Sequence, residues 1–237
     1  MPSALRRCRS TVAFLLVGAV LVAGCESTAT QPPGVAERVV AGPLQGRTGA
    51  TLVVSKAASR VRVVLANIPG LLYRVTTPPG AGLIPEVTHH DGRVRVSLLP
   101  SGAAGLDEVT VVLNRGVRWD LRLPAGAGEL RLDLSRGRLS RLTAGASGLI
   151  EVRLPRPYGN VPLIFTGGVG TLTVTAPRDV PLRLSLGQGA RSALTPWTAD
   201  EEIPPATTYA PAVWPTARDR YALRTRSTVG ILAVRRN

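Results

Sequence analysis

The residues best suited to chemistry are few and scattered. The two histidines of the chain are adjacent, in His89-His90-Asp91-Gly92. Imidazoles beside a carboxylate suit a general base or a metal site, but a metal needs three or four ligands and no other histidine or nearby cysteine completes a set. Asp-Gly between alternating runs is instead the mark of a tight hairpin turn, whose backbone needs positive φ. Ser147 stands in Gly145-Ala146-Ser147-Gly148, which is not the strained nucleophile turn, and no histidine is placed to activate it. Asp107-Glu108 and Asp200-Glu201-Glu202 are short acidic clusters. A paired-carboxylate hydrolase is conceivable from them, but no spacing supports it, and they read as surface acids. The Gly-x-Gly pairs lead into strands, so no helix N-terminus follows to cradle a phosphate. The expectation is a protein with no catalytic residues, no metal and no cofactor. A cell-wall carbohydrate-active enzyme with an unrecognised site is the alternative.

Cys25 is the exception. Arg6, Arg7 and Arg9 make a basic start, and Ser10 to Gly24 is uncharged and mostly apolar. That run is shorter than the ~20 apolar residues a membrane span requires and has the layout of a secretory leader. Val22-Ala23-Gly24-Cys25 resembles a bacterial lipobox. The resemblance implies a leader over residues 1–24 and a diacylglycerol on the Cys25 thiol, with Cys25 the new N-terminus. Each buried methylene contributes ~0.8 kcal/mol, so one acyl chain binds reversibly and two hold stably. The expected partner is therefore a lipid bilayer through the Cys25 acyl anchor, and the expected location is the extracytoplasmic face of the cell membrane. Cys8 leaves with the leader, so no disulfide forms within one mature chain. The export route, general secretory or twin-arginine, stays open.

The formal charge is +14, with Arg6, Arg7 and Arg9 carrying three units of it. Lys56 is the only lysine, a bias that fits a GC-rich genome. A basic surface is drawn to anionic lipid headgroups or phosphate-bearing wall polymers. Nucleic acid is not expected, because no recognisable nucleic-acid module is present. Which protein partner, if any, the chain meets is not legible.

The elements that must position such a surface are strands. Residues 25–50 read as the lipidated cysteine and a flexible linker, spanning on the order of 25–30 Å; pairing of Arg38-Val39-Val40 as a first edge strand is the alternative. From Thr51 the hydrophobic period is two. Arg60 to Leu65 alternates, Leu72 to Val75 follows, and Glu86-Val87-Thr88 and Val94 to Leu98 flank the Asp91-Gly92 turn. Val109 to Leu113, Asn114-Arg115-Gly116 and Val117 to Leu123 read as another hairpin.

After Leu123 a loose repeat begins. Gly126-Ala127-Gly128, Ala146-Ser147-Gly148, Gly168-Val169-Gly170 and Gly187-Gln188-Gly189 place their last glycines 20, 22 and 19 residues apart. Leu130/Leu132/Leu134, Ile150/Val152/Leu154 and Leu172/Val174/Ala176 follow the first three as matched strands. The stretch at Arg141-Leu142-Thr143 fits poorly. Two short strands and a glycine corner every twenty residues predict a stacked β-solenoid over 51–194, with a β-sandwich as the alternative fold.

Val117 to Leu123, Gly126 to Leu134 and Thr166 to Val174 resemble the toastrack domains of exported bacterial proteins. These include LiaF-type cell-wall-antibiotic response proteins and adhesin-like repeats. The resemblance spans roughly Ala57 to Leu194. It implies a single-stranded right-handed β-helix and no general catalytic residues, and the expected role is an envelope-associated interaction or stress-sensing module, with a structural spacer or adhesin-like element as an alternative.

Residues 195–237 hold Trp197, Tyr209, Trp214 and Tyr221 among many prolines. Solenoids need their open ends capped, so this segment is expected to form a cap with a final strand pair. A glycan-stacking platform is the sharper reading of those four aromatics.

Overall fold

A computed structural model describes residues 37–237. The leader, Cys25 and the linker up to residue 36 lie outside the described residues, with the expectations attached to them. Every regular element described is a strand. The cause is the period of two, as β3 (Arg60–Ala66) illustrates. Val61, Val63 and Leu65 point inward and are buried, while Arg60 and Arg62 point to solvent.

Consecutive strands bend around a corner, one in each of two facing sheets. The pairs are β2 (Gly49–Val54) with β3, β6 (Arg93–Pro100) with β7 (Glu108–Asn114), and β8 (Arg118–Leu123) with β9 (Ala127–Asp133). Further along come β10 (Arg138–Ala144) with β11 (Ser147–Arg153), and β12 (Asn160–Phe165) with β13 (Val169–Ala176). The last are β14 (Leu182–Leu186) with β15 (Ala190–Leu194), and β18 (Arg220–Thr225) with β19 (Val229–Arg236). Each pair is one coil. The coils stack in parallel register, so Leu130, Ile150, Leu172 and Leu232 form one inward row and Leu132, Val152, Val174 and Val234 another. The fold is thus all-β, with a 10-stranded sheet I (β3, β7, β9, β11, β13, β15, β19 and flanking strands) and a 9-stranded sheet II. The connectivity is that of a solenoid. The flattened coils give the core the two-layer form of a sandwich.

Both ends are closed by antiparallel strands. At one end β4 (Leu71–Thr77) pairs with β7, β1 (Arg38–Pro43) pairs with β4, and β5 (Leu83–His90) pairs with β6. At the other, β16 (Ala199–Ile203) pairs with β15 and β17 (Thr207–Tyr209) with β14. The edges left are β1, β5, β16 and β17, the last two only five and three residues long.

The chain departs from the expected segmentation at three places. The described part of the 25–50 linker is ordered from Arg38, because Arg38 to Gly42 find register partners in Thr77 to Tyr73. The segment 195–237 is not simply a terminal cap. Its last strand pair inserts into the stack, β18 between β12 and β14, and β19 between β13 and β15. Third, the expected hairpin at Asn114-Arg115-Gly116 is an inter-sheet corner, since β7 belongs to sheet I and β8 to sheet II. Asn114 fixes that corner. Its buried amide donates to the carbonyls of Leu71 (2.8 Å) and Ile68 (3.2 Å), its side-chain oxygen accepts from the Gly116 N–H (2.9 Å), and its carbonyl accepts from Trp119 Nε1 (2.9 Å).

The Asp91-Gly92 hairpin forms as expected, both residues at positive φ (47° and 72°). The poor fit at Arg141 has a local cause. The register between β8 and β10 shifts between Leu139 and Arg141, and the intervening Ser140 hydroxyl donates to the Trp119 carbonyl at 2.9 Å.

The recurring glycines serve close approach. A Cβ on Gly128 would lie 2.7 Å from the Ser59 carbonyl oxygen, on Gly148 2.8 Å from that of Gly128, and on Gly170 2.5 Å from that of Gly148. Gly230 continues the column against the Gly170 carbonyl. Gly189, which looks like the fourth member in sequence, belongs instead to the corner, at φ +72°, as Gly126 does at +70°.

Candidate interaction surface

Alternation sends one residue in two outward, so each sheet writes a face on the solvent. On sheet I the middle of that face balances its charge, with Arg60, Arg62, Arg131 and Arg153 set among Glu108, Glu129, Asp133 and Glu151. Arg60 donates to Glu108 (3.0 Å) and Glu129 (3.1 Å), and Arg131 pairs with Glu129 and with Glu151 (3.7 Å). Hydrogen bonding to Arg60 lowers the Glu129 pKa, and the two carboxylates raise that of Arg60. Such exposed pairs contribute little to stability.

Sheet II differs. Its outward rows run Arg95, Val53, Arg122, Thr143, Ile164, Arg224, Ser185 and, beside them, Arg93, Thr51, Asp120, Arg141. Arg183 stands next to Ala222 in the same row as Pro162. The one acid in these rows, Asp120, is held by Arg122 at 2.7 Å. Among the described residues, Arg93, Arg95, Arg141, Arg183 and Arg224 have no carboxylate within ion-pair distance. Strands repeat every ~4.8 Å, so the Cα atoms that carry these guanidiniums sit at about multiples of that step. Near β14 the face dips into a shallow trough of about 500 Å³, floored by Pro162, Ile164 and Ala222 and flanked by Arg183 and Arg224.

The residues singled out in the sequence do not converge on a reactive centre. His89 and His90 are neighbours on β5, so their side chains leave opposite faces of it. His89 packs edge-on against Tyr73, with ring centroids 5.9 Å apart. Burial and the nearby Arg47 lower its pKa. His90 reaches Asp91 at 2.9 Å in full solvent. Ser147 is buried and accepts from the Ala127 N–H at 3.2 Å, a contact between coils. Asp107 precedes β7 and Glu108 opens it, near one end of the stack, and Asp200 to Glu202 lie on β16 at the other. Among the described residues no cluster of three or more His, Cys, Asp or Glu side chains is arranged to hold a metal.

The four C-terminal aromatics are packed. Trp197 and Tyr209 stack nearly parallel, 7° apart with centroids at 6.3 Å, and close the core beyond β14 and β15. Trp214 is 8% exposed, with the guanidinium carbons of Arg183 and Arg220 at 4.1 and 4.4 Å from its ring centroid and its Nε1 donating to the Tyr221 carbonyl. Tyr221 is fully buried and donates to the Pro155 carbonyl at 2.8 Å. Its burial pushes the phenol pKa well above the ordinary value. A sugar ring therefore finds no free face at Trp214 or Tyr221.

Tyr158, which sequence reasoning passed over, is 66% exposed. Its signal was a lone aromatic in the Pro-Arg-Pro-Tyr-Gly turn, where prolines hold a side chain in the open.

No family model matches the chain, and no curated protein does. In fold it is similar to the crystal structure of a proposed cell adhesion protein from Clostridium sporogenes ATCC 15579. The TM-score is 0.65 at 17% identity, over 85% of this chain and 99% of that one. The likeness defines the class to which the fold belongs, a two-sheet all-β architecture.

Proposed function

We propose that this protein is a lipid-anchored surface element that acts by binding and catalyses no reaction. It holds an anionic wall polymer against the outer face of sheet II. The observation that carries this reading is the asymmetry of the two faces: sheet I sets its central arginines among Glu108, Glu129, Asp133 and Glu151, while the outward rows of sheet II hold Asp120 as their one acid among a ladder of arginines. Such a surface attracts a linear polyanion laid across the strands, and each guanidinium contact releases a counter-ion. The cell adhesion role proposed for the structural neighbour agrees with a surface element of this kind. The lipobox at Cys25 would hold it on the outer face of the membrane, and residues 26–36 would set it off the bilayer. A stress-sensing role, implied by the toastrack resemblance, would report on the same polymer.

The test is retention of the full chain on isolated cell wall and on anionic vesicles, at low and at high salt. Salt-sensitive retention on wall that is lost when Arg95, Arg141 and Arg224 become Gln is the expected result. Retention indifferent to those substitutions refutes the reading, and retention on vesicles alone replaces the polymer with lipid headgroups.

A further inference from the structure

We propose that the groove around Tyr158 is a binding site for an acidic sugar unit, a hexuronic acid within a polysaccharide. The inference deepens the polymer-binding reading and rests on it. The groove opens on the edge of the stack where sheet I strands turn into sheet II strands, and it measures about 460 Å³, within the size range of small-ligand sites. Thr48, Arg118, Arg138, Leu139, Arg156 and Tyr158 line it, together with Pro157.

The loop is built to hold Tyr158 out. Pro155 and Pro157 fix their own φ angles on either side of Arg156. The Gly159 N–H is pinned to Asp219 Oδ1 at 2.6 Å, and the Tyr158 carbonyl accepts from the Arg118 guanidinium at 3.1 Å. The same guanidinium lies over the ring, 5.5 Å from its centroid. With one face so covered and the side chain still two-thirds exposed, the open part of the ring has no packing role.

Two of the charges beside it lack a counter-charge. Arg118 and Arg138 are register partners on adjacent strands, and like charges placed opposite one another are unfavourable. Among the described residues neither has a carboxylate at ion-pair distance, whereas Arg156 is held by Asp179 at 2.7 Å. A carboxylate between Arg118 and Arg138 relieves that repulsion through charge-assisted hydrogen bonds. A hexuronic acid offers both features on one ring: an apolar C–H face for Tyr158 and a carboxylate for the arginines. A neutral hexose lacks the charge, and a phosphate chain lacks the face.

The test uses the full chain with three probes: an oligogalacturonate of two units, too short to run along the sheet II ladder, a malto-oligosaccharide of the same length, and polyphosphate. Affinities are read by calorimetry for wild type, Tyr158→Ala and Arg138→Gln, and thermal melts check that both variants fold. Oligogalacturonate binds wild type, and either substitution weakens it about tenfold, or ~1.4 kcal/mol. The malto-oligosaccharide binds at least tenfold more weakly than the uronate. Polyphosphate, held by the sheet II face, binds Tyr158→Ala as it binds wild type. Unchanged oligogalacturonate affinity in Tyr158→Ala overturns the proposal, as does equal binding of the neutral oligosaccharide. If oligogalacturonate fails while polyphosphate binds, the groove is refuted and the sheet II face stands. If polyphosphate fails as well, the polymer-binding reading falls with it.

Discussion

Replacing Gly148 with alanine tests the stacking most sharply. The new Cβ would stand 2.8 Å from the Gly128 carbonyl oxygen, inside van der Waals contact. That oxygen belongs to backbone between the partnered positions Ala127–Ser147 and Glu129–Leu149, so it cannot withdraw without prising two coils apart. Overpacking of this kind costs about 1–3 kcal/mol. In a domain of this size each kcal/mol lowers the melting temperature by about 2–4 °C, so a drop of about 2–12 °C is expected. Gly168 is the control. Its φ lies outside the left-handed region, and the nearest atom to an added Cβ is the Thr228 carbonyl oxygen at 4.0 Å. Gly168→Ala should melt at or slightly above the wild-type temperature, since alanine narrows the unfolded ensemble by ~0.4–1 kcal/mol. Thermal melts followed by circular dichroism compare the three proteins. Equal melting temperatures for Gly148→Ala and Gly168→Ala would refute the column, and with it the register of the coils.

Further outcomes follow from the same structure. Cys25→Ala should move the protein from the detergent phase to the aqueous phase in partitioning of expressing cells; unchanged partitioning contradicts the anchor. Tyr221 keeps its proton in the fold at a pH where the unfolded chain has lost it, so the unfolded state binds fewer protons and stability falls as pH rises above ~10. Tyr221→Phe should lessen that alkaline loss, measured by denaturant unfolding at rising pH. At neutral pH the same variant should lose about 1 kcal/mol for the hydrogen bond to Pro155. Trp197→Ala removes one half of the stack with Tyr209 and opens the core beyond β15, so its melting temperature should fall while the exposed Tyr158→Ala stays near wild type.

The strands were legible because leucine and valine alternate with arginine and threonine wherever one face is buried. The Asp91-Gly92 turn was legible because few dipeptides satisfy two positive φ angles. The order of the coils was not, since period-two patterns look alike from β14 to β19. The choice is made in space. Position 230 is glycine and can lie against the Gly170 carbonyl, whereas its counterpart on β15 is Arg191, so β19 takes the inner place and β15 the outer. The corner at Asn114 reads as a hairpin in sequence because a short polar turn between alternating runs looks the same whether the next strand pairs or crosses to the facing sheet. Bonds to Ile68 and Leu71, more than forty residues away in sequence, decide it. The asymmetry of the two faces was equally hidden. The counts of arginine and acid are open to reading, but which acid meets which arginine depends on register between strands such as β3 and β9.

The most direct test of that asymmetry is the salt dependence of binding to an anionic wall polymer. The comparison is between wild type, a sheet II variant (Arg95, Arg141 and Arg224 to Gln) and a sheet I variant (Arg62, Arg131 and Arg153 to Gln). The logarithm of the binding constant should fall linearly with the logarithm of salt concentration, and loss of three contacts should flatten the slope by about 2. The account predicts that flattening for the sheet II variant and a wild-type slope for the sheet I variant. Equal slopes in both variants, or flattening by the sheet I substitutions alone, would contradict it.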